Sequence, residues 1–308
     1  MKLRAYLLML FVVAVWGSSF VIVKAALGDA TPAAFNAIRM ALATAVLAVV
    51  YRKAWRGMTA WEVGAGAVVG LFLAVGYEFQ TTGLARTTPS KSAFITGLLV
   101  VLVPLLSLIP GVHPPGARRP GWSGFAGAGL AFLGIVLLTA PARQPGASLV
   151  SLLPDFGSIN LGDVLTLGCA LGFAFHCIAL SHTSPRIGFQ RLAVLQVGFS
   201  ALFLTAGLPL IEQPHVHWTP RLWFALAFSA LLSTAAAFSI QSWAQSVLPP
   251  THMGILLTLE PAFAWVTSFL VMGERLAAVP AVGALLILAG IALTELAPQP
   301  HAPSAHEA

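Results

Sequence analysis

The stretch "EFQTTGLARTTPSKSAFITGLL" at residues 78–99 recurs in altered form as "SIQSWAQSVLPPTHMGILLTLE" at residues 239–260. One offset aligns Gln80 with Gln241 and Pro89 with Pro250, since 241 − 80 and 250 − 89 both equal 161. Both stretches have the pattern of a helix end, a short turn with proline, and a Ser or Thr before the next helix, where these residues are favoured N-caps. The chain therefore consists of two related halves.

The composition indicates that most of the chain lies in a membrane. Of its 308 residues, 58% are hydrophobic and 8% are charged, whereas soluble domains carry about 25% charged residues. Long uncharged segments recur, and the prolines at 249 and 250 divide one that is too long for a single helix. We predict ten helices, each near the ~20 residues that cross a hydrocarbon core, at residues 5–26, 33–51, 62–83, 92–110, 122–140, 161–181, 189–210, 222–246, 252–272 and 278–296.

The number of helices in each half predicts how the halves are oriented. Two halves of five spans joined by a plain loop must lie in opposite orientations, which is characteristic of secondary transporters that hold substrate near the membrane midplane. We expect an all-α integral membrane protein of ten transmembrane helices, arranged as two inverted five-helix repeats. The repeats would comprise residues 1–145 and 155–297, followed by a disordered cytoplasmic tail at 298–308.

The distribution of Lys and Arg predicts the topology and excludes a nucleic-acid partner. With the N-terminus in the cytoplasm, nine basic residues fall on the cytoplasmic side and five on the other, so both termini should be cytoplasmic. The cytoplasmic set is Lys2, Arg4, Arg52, Lys53, Arg56, Arg118, Arg119, Arg186 and Arg191, against Arg86, Lys91, Arg143, Arg221 and Arg275. These residues form no basic stripe of the kind that binds nucleic acid.

Four motifs resemble a known transporter family. They are "AVWGSSFVIVKAAL" in the first span, "RTTPSKSAFITGLLVVLVPLL" between the third and fourth, "SWAQSVLPPTHMGILLTLEPAFAWVTSFLVMGERL" between the eighth and ninth, and "GALLILAGIAL" in the tenth. On these motifs the chain resembles the EamA type of the drug/metabolite transporter superfamily. The resemblance implies a bacterial inner-membrane protein with a central cavity between spans one, three, four, six, eight and nine. It also implies export or exchange of a small metabolite, often an amino acid, or of a drug-like compound.

Polar side chains at membrane depth are the candidates for binding this substrate, because such groups are costly unless they face a cavity or a partner. Packing or bonding between helices is the competing explanation for each of them. Imidazole titrates near neutral pH, so the candidate histidine is also a possible proton relay. The set comprises Trp16, Ser19, Glu78, Gln80, His176, Gln241, Trp243 and Glu260.

Glu260 and Pro261 stand side by side in the ninth span. An acid in mid-span costs about 2.5–3.5 kcal/mol on insertion scales, and Pro261 removes a helical hydrogen bond. We expect a kink or broken turn there and a second hinge at Pro104, the proline inside the fourth span. Glu260 is then either a structural acid or the group that binds substrate or carries a coupling proton.

Two other classes of function remain open from the sequence, a passive facilitator or channel and, less favoured, an intramembrane enzyme. No HExxH, GxSxG or Cys/His cluster is present, so the sequence predicts no catalytic residue, no metal site and no cofactor. The expected partners are a small-molecule substrate, the lipid bilayer and protons. The oligomeric state does not follow from the sequence.

Overall fold

The computed structural model describes residues 2–113, 121–139, 160–245, 248, 253 and 256–296. Within these residues the secondary structure is helical, apart from an isolated bridge between Ala30 and Val216. The residues between the predicted repeats, 146–154, and the whole predicted tail at 298–308 lie outside the described residues.

The first half contains six helices that form five spans, because the fourth span is divided in two. They are α1 (Lys2–Ala26), α2 (Pro32–Val50), α3 (Ala60–Leu84), α4 (Pro89–Thr96), α5 (Leu99–Leu106) and α6 (Trp122–Thr139).

The second half follows the same order. It contains α7 (Leu161–Thr183), α8 (Phe189–Ile211), α9 (Pro220–Ala227), a π-helical segment (Phe228–Ala236), α10 (Ala237–Gln245), α11 (Glu260–Met272) and α12 (Ala278–Leu296). The eighth span, predicted as one regular helix, is therefore interrupted by π-helical turns. Eight spans are long and apolar enough to cross a membrane, and two shorter apolar helices, Glu260–Met272 and Ala278–Thr294, complete the predicted ten.

A Thr-Pro pair begins three of these helices. Pro32, Pro89 and Pro220 occupy the first turn of α2, α4 and α9, where a missing N–H costs nothing. The hydroxyls of Thr88 and Thr219 accept hydrogen bonds from backbone N–H groups of the first turn. The sequence thus fixes where these helices enter the bundle.

The halves pack on one another with approximate two-fold symmetry. Three spans of the first half contact their counterparts in the second: α2 packs on α8, α4 on α11, and α6 on α12. Glycines bring the last pair close, since a Cβ on Gly134 would lie 2.7 Å from the carbonyl oxygen of Gly283. The two halves therefore form an interface, and this interface is where the sequence predicts the substrate cavity.

The breaks in the fourth and ninth spans also correspond. The fourth span is interrupted at Gly97 and Leu98, and Pro104 lies inside the continuous helix α5. The interruption expected at Pro104 is therefore found about two helical turns earlier in the sequence, at Gly97 and Leu98. In the ninth span the chain turns at Thr258 and Leu259, and α11 begins at Glu260 with Pro261 in its first turn. Since 97 + 161 = 258, the two interruptions occupy equivalent positions in the repeat.

Candidate substrate cavity

A cavity with an accessible volume of about 70 Å³ lies where spans of both halves converge. It is lined by spans one, three, four, six, eight and nine, the set implied by the family resemblance. Its lining residues are Trp16, Ser19, Phe20, Tyr77, Gln80, Thr96, Leu99, Phe173, His176, Cys177, Ser233, Phe238, Gln241, Leu257 and Glu260.

The lining follows the sequence repeat. Five pairs of lining residues are separated by the same 161 positions: Trp16 and Cys177, Tyr77 and Phe238, Gln80 and Gln241, Thr96 and Leu257, and Leu99 and Glu260. The cavity is therefore built on the pseudo-two-fold axis between the halves. Glu260 breaks this symmetry, because its counterpart Leu99 is apolar.

Three polar side chains on this lining lack hydrogen-bond partners. The carboxylate of Glu260 and the amide of Gln80 form no hydrogen bond or ion pair within the described residues. The Oε1 atom of Gln241 is buried and likewise unpartnered in the described chain. Buried polar groups are nearly always hydrogen-bonded in folded proteins. The buried amide oxygen of Gln241 and the half-buried side chains of Gln80 and Glu260 are thus available to a ligand.

The other polar candidates on the lining have protein partners. Trp16 donates its indole N–H to the Ser233 carbonyl oxygen at 2.8 Å, and Ser19 donates to the Trp16 carbonyl oxygen at 2.6 Å. Nε2 of His176 lies 2.9 Å from Oε1 of Gln196. These three residues shape the wall, and the indole N–H of Trp16, the hydroxyl of Ser19 and Nε2 of His176 already have partners within the protein.

Glu78 and Trp243 lie elsewhere, contrary to expectation. Each is two positions from a glutamine that faces the cavity, and two helical positions differ by about 200° around the axis. Glu78 lines a separate apolar groove and accepts hydrogen bonds from Asn36 and Thr82. Trp243 packs on the cluster around Met9 and lies 6.0 Å from the Arg4 guanidinium.

An aromatic wall was not anticipated from the sequence. Tyr77 meets Phe173 edge-on at 5.2 Å between ring centroids, and Phe238 contacts both Trp16 and His176. The rings come from α1, α3, α7 and α10, so no local pattern brings them together. The offset of 161 could have paired Tyr77 with Phe238, each three positions before a candidate glutamine.

The ninth span places its acid through close helix packing. A Cβ on Gly17 of α1 would lie 2.6 Å from Cβ of Phe263 and 2.8 Å from the Glu260 carbonyl oxygen. A Cβ on Gly97 would lie 3.1 Å from Cγ of Pro261, so the interruption of the fourth span packs directly on the ninth. These contacts hold the Glu260 turn between α1 and α4.

The cavity chemistry suits an organic solute. It offers one carboxylate, two amides and apolar rings, and the described residues contain no group of three or more His, Cys, Asp or Glu that could hold a metal ion. A solute with an amine and a small apolar body would match a carboxylate beside aromatic surfaces.

Comparison with known proteins identifies the family. An uncharacterized transporter of Archaeoglobus fulgidus is 30% identical over 295 residues, which cover 96% of this chain and 87% of the relative. The threonine/homoserine exporter RhtA of Escherichia coli (strain K12) is 27% identical over 135 residues, 43% of this chain and 45% of the exporter. A solved crystal structure shares the fold with a TM-score of 0.64 and 19% identity, over 96% of this chain and 98% of that chain.

The Archaeoglobus fulgidus relative is named a transporter and RhtA an exporter, which argues against an intramembrane enzyme. The EamA-like transporter family matches residues 3–140 and again residues 160–296, one match for each half. The predicted ten-helix, inverted-repeat fold is thereby confirmed. This multi-pass membrane protein belongs to the EamA-like transporter family.

Proposed function

We propose that this protein is a secondary transporter of the bacterial inner membrane that exports or exchanges a small organic metabolite, amino acid-like, or a drug. The observation that carries the proposal is the cavity between the halves, where Glu260, Gln80 and Gln241 present unpartnered polar groups. A carboxylate binds an ammonium group, and an amide can bind either a carbonyl or a carboxylate. The name of RhtA, a threonine/homoserine exporter, supports the amino-acid-like class.

The proposed mechanism is alternating access. The repeats, residues 1–145 and 155–297, would rock about the cavity, with both termini on the cytoplasmic side. Paired contacts at each end of the bundle support two opposed gates. At one end Asp29 binds Arg221 at 2.8 Å, and at the other Arg191 binds Glu62 at 2.7 Å. Each pair joins one half to the other.

The proposed flexible points are the interruptions next to the cavity. Pro261 begins α11 directly after the turn at Thr258 and Leu259, and Pro104 follows the break at Gly97 by about two turns. Broken helices are typical of transporter substrate sites, where unwound backbone lines the cavity. We propose Pro104 and Pro261 as the residues that define these hinged segments.

We further propose that Glu260 couples transport to protons. It is the one acid on the described cavity lining, and the described chain gives it no cationic partner. A carboxylate that alternates between binding a proton and binding substrate ammonium would exchange one for the other.

Counterflow in reconstituted vesicles tests the function. Vesicles loaded with unlabelled amino acids or drug-like amines should accumulate labelled solute transiently and in a saturable manner. Empty vesicles and vesicles with denatured protein are the controls. Linear, non-saturating flux would favour a passive channel, and no flux of any solute across a broad panel would overturn the proposal.

A further inference from the structure

Arg39 is a cation buried at membrane depth without an acidic partner in the described part of the chain. It lies in α2 with 2% of its surface exposed. The ion pairs among the described residues are Lys91–Asp163, Arg191–Glu62 and Arg221–Asp29. An intramembrane charge is rarely retained without a function.

The contacts of Arg39 are neutral and lead to the cavity. Nε donates to Oγ1 of Thr234 at 3.0 Å, and an Nη donates to Oγ of Ser233 at 3.3 Å. The guanidinium carbon lies 4.2 Å from the ring centroid of Tyr77. Ser233 and Tyr77 both line the cavity, so the guanidinium is one side chain removed from it.

Neutral partners hold the guanidinium in place but leave its charge uncompensated. Hydroxyl dipoles and the face of a tyrosine ring stabilise a cation without cancelling its net charge. A charge acts over several ångströms in a medium of low dielectric constant, because water is not there to screen it. The wall formed by Tyr77 and Ser233 is therefore electrically positive toward the cavity.

The acids near this wall do not neutralise Arg39. Glu78 is held by Asn36 and Thr82 and forms no ion pair with it. Glu260 lies on another wall, where α11 packs against Gly17 of α1. The cavity is thus flanked by one uncompensated positive group and one uncompensated negative group.

We propose that Arg39 is a specificity-determining residue, which acts through Tyr77 and Ser233 to select solutes that carry a carboxylate as well as an ammonium group. This inference rests on the proposed function. The ammonium group lies toward Glu260 and the carboxylate toward the Arg39 wall. A simple amine lacks the group that the Arg39 wall attracts, and a simple acid is repelled by Glu260.

Counterflow with three forms of one solute tests the inference. Threonine and phenylalanine are each compared with their methyl ester, a cation, and their N-acetyl derivative, an anion. The wild-type protein should prefer the free amino acid over both derivatives by about tenfold or more, because each derivative lacks one of the two charges that the cavity attracts. Equal transport of amino acid and ester would overturn the inference and leave the proposed function standing. No transport of any solute would instead overturn the proposed function.

Variants test the two charges separately. Glu260→Gln should shift the preference from ester to N-acetyl derivative, because Arg39 is then the remaining charge beside the cavity. Arg39→Gln should shift the preference towards the methyl ester. Arg39→Lys retains the positive charge and should restore the preference for the free amino acid. Glu78→Gln is the matched control, because it removes an acid that lies off the cavity, keeps both Arg39 and Glu260, and should keep the wild-type order. If Arg39→Gln fails to fold, the Glu260→Gln protein decides, and an unchanged order in that variant overturns the inference.

Discussion

At the scale of single residues, two half-buried glutamates have opposite surroundings. Glu260 lines the cavity and has no hydrogen-bond partner among the described residues, whereas Glu78 accepts hydrogen bonds from Asn36 at 3.1 Å and Thr82 at 3.0 Å. Removing a charge that makes no bonds costs no interaction, but removing one that is hydrogen-bonded costs about 1–3 kcal/mol. We therefore expect Glu260 to function in transport and Glu78 to stabilise the fold.

We predict that Glu260→Gln abolishes proton-driven uptake, retains counterflow with the altered preference for solutes that carry a carboxylate, and leaves the thermal unfolding temperature at or above that of the wild type. Glu78→Gln should lower the free energy of unfolding by about 1–2 kcal/mol while the folded fraction transports normally. Uptake driven by a pH gradient and unfolding in detergent measure the two effects. Intact driven uptake in the Glu260→Gln protein would show that this acid is structural.

At the scale of the helices, the approach of α1 to α11 fixes the position of Glu260. A Cβ on Gly17 would lie 2.6 Å from Cβ of Phe263 and 2.8 Å from the backbone nitrogen of Ala264. Backbone atoms cannot rotate away, so a side chain at position 17 must separate the helices. Gly129 of α6 is a matched control, because a Cβ there would meet nothing within 4 Å.

We predict that Gly17→Ala lowers the free energy of unfolding by about 1–3 kcal/mol and weakens substrate binding. Gly129→Ala should be neutral or slightly stabilising, because alanine favours helix. Chemical unfolding and the half-saturation concentration for counterflow report the two effects. Equal behaviour of the two variants would mean that α1 and α11 do not pack as described.

The helical spans and the break beside Pro261 could be predicted from the sequence, but the position of the break in the fourth span could not. The ten spans follow from uncharged runs and prolines, which are local signals. The breaks at Gly97 and Thr258 occupy equivalent positions yet share no residue type, and Pro104, the residue expected to interrupt its span, lies within α5. Tertiary packing determines where these breaks lie, since Gly97 lies against Pro261. The helical period does explain why Gln80 and Gln241 face the cavity while Glu78 and Trp243 do not.

At the scale of the whole molecule, the two halves share a framework and differ in charge. Repeat-related residues form five pairs on the cavity lining, and the counterpart of Glu260 in the first half is the apolar Leu99. The two halves are thus nearly symmetric in fold, but only the second half contributes a carboxylate to the cavity. A solute held by such a cavity has one preferred orientation between the halves.

The halves are also tied together outside the membrane-spanning segments by Asp29, in the turn between α1 and α2. Its carboxylate accepts hydrogen bonds from Arg221 at 2.8 Å and from Thr219 at 2.7 Å, both in the second half. Hydrogen bonds from Arg221 first and Thr219 second lower the pKa of Asp29 to about 2. The ordinary value is about 3.9, so the folded state favours the ionised form.

A lowered carboxyl pKa contributes stability that is present above the ordinary value and is lost as pH falls toward the folded value. We predict that Asp29→Asn unfolds at a lower temperature than the wild type at about pH 6, and that the difference shrinks between about pH 4 and about pH 2. Arg221→Gln should show the same convergence, because it removes the other partner. Thermal unfolding across this pH range measures the effect. A difference that stays constant or grows on acidification would mean that the Asp29–Arg221 contact does not hold the two halves together.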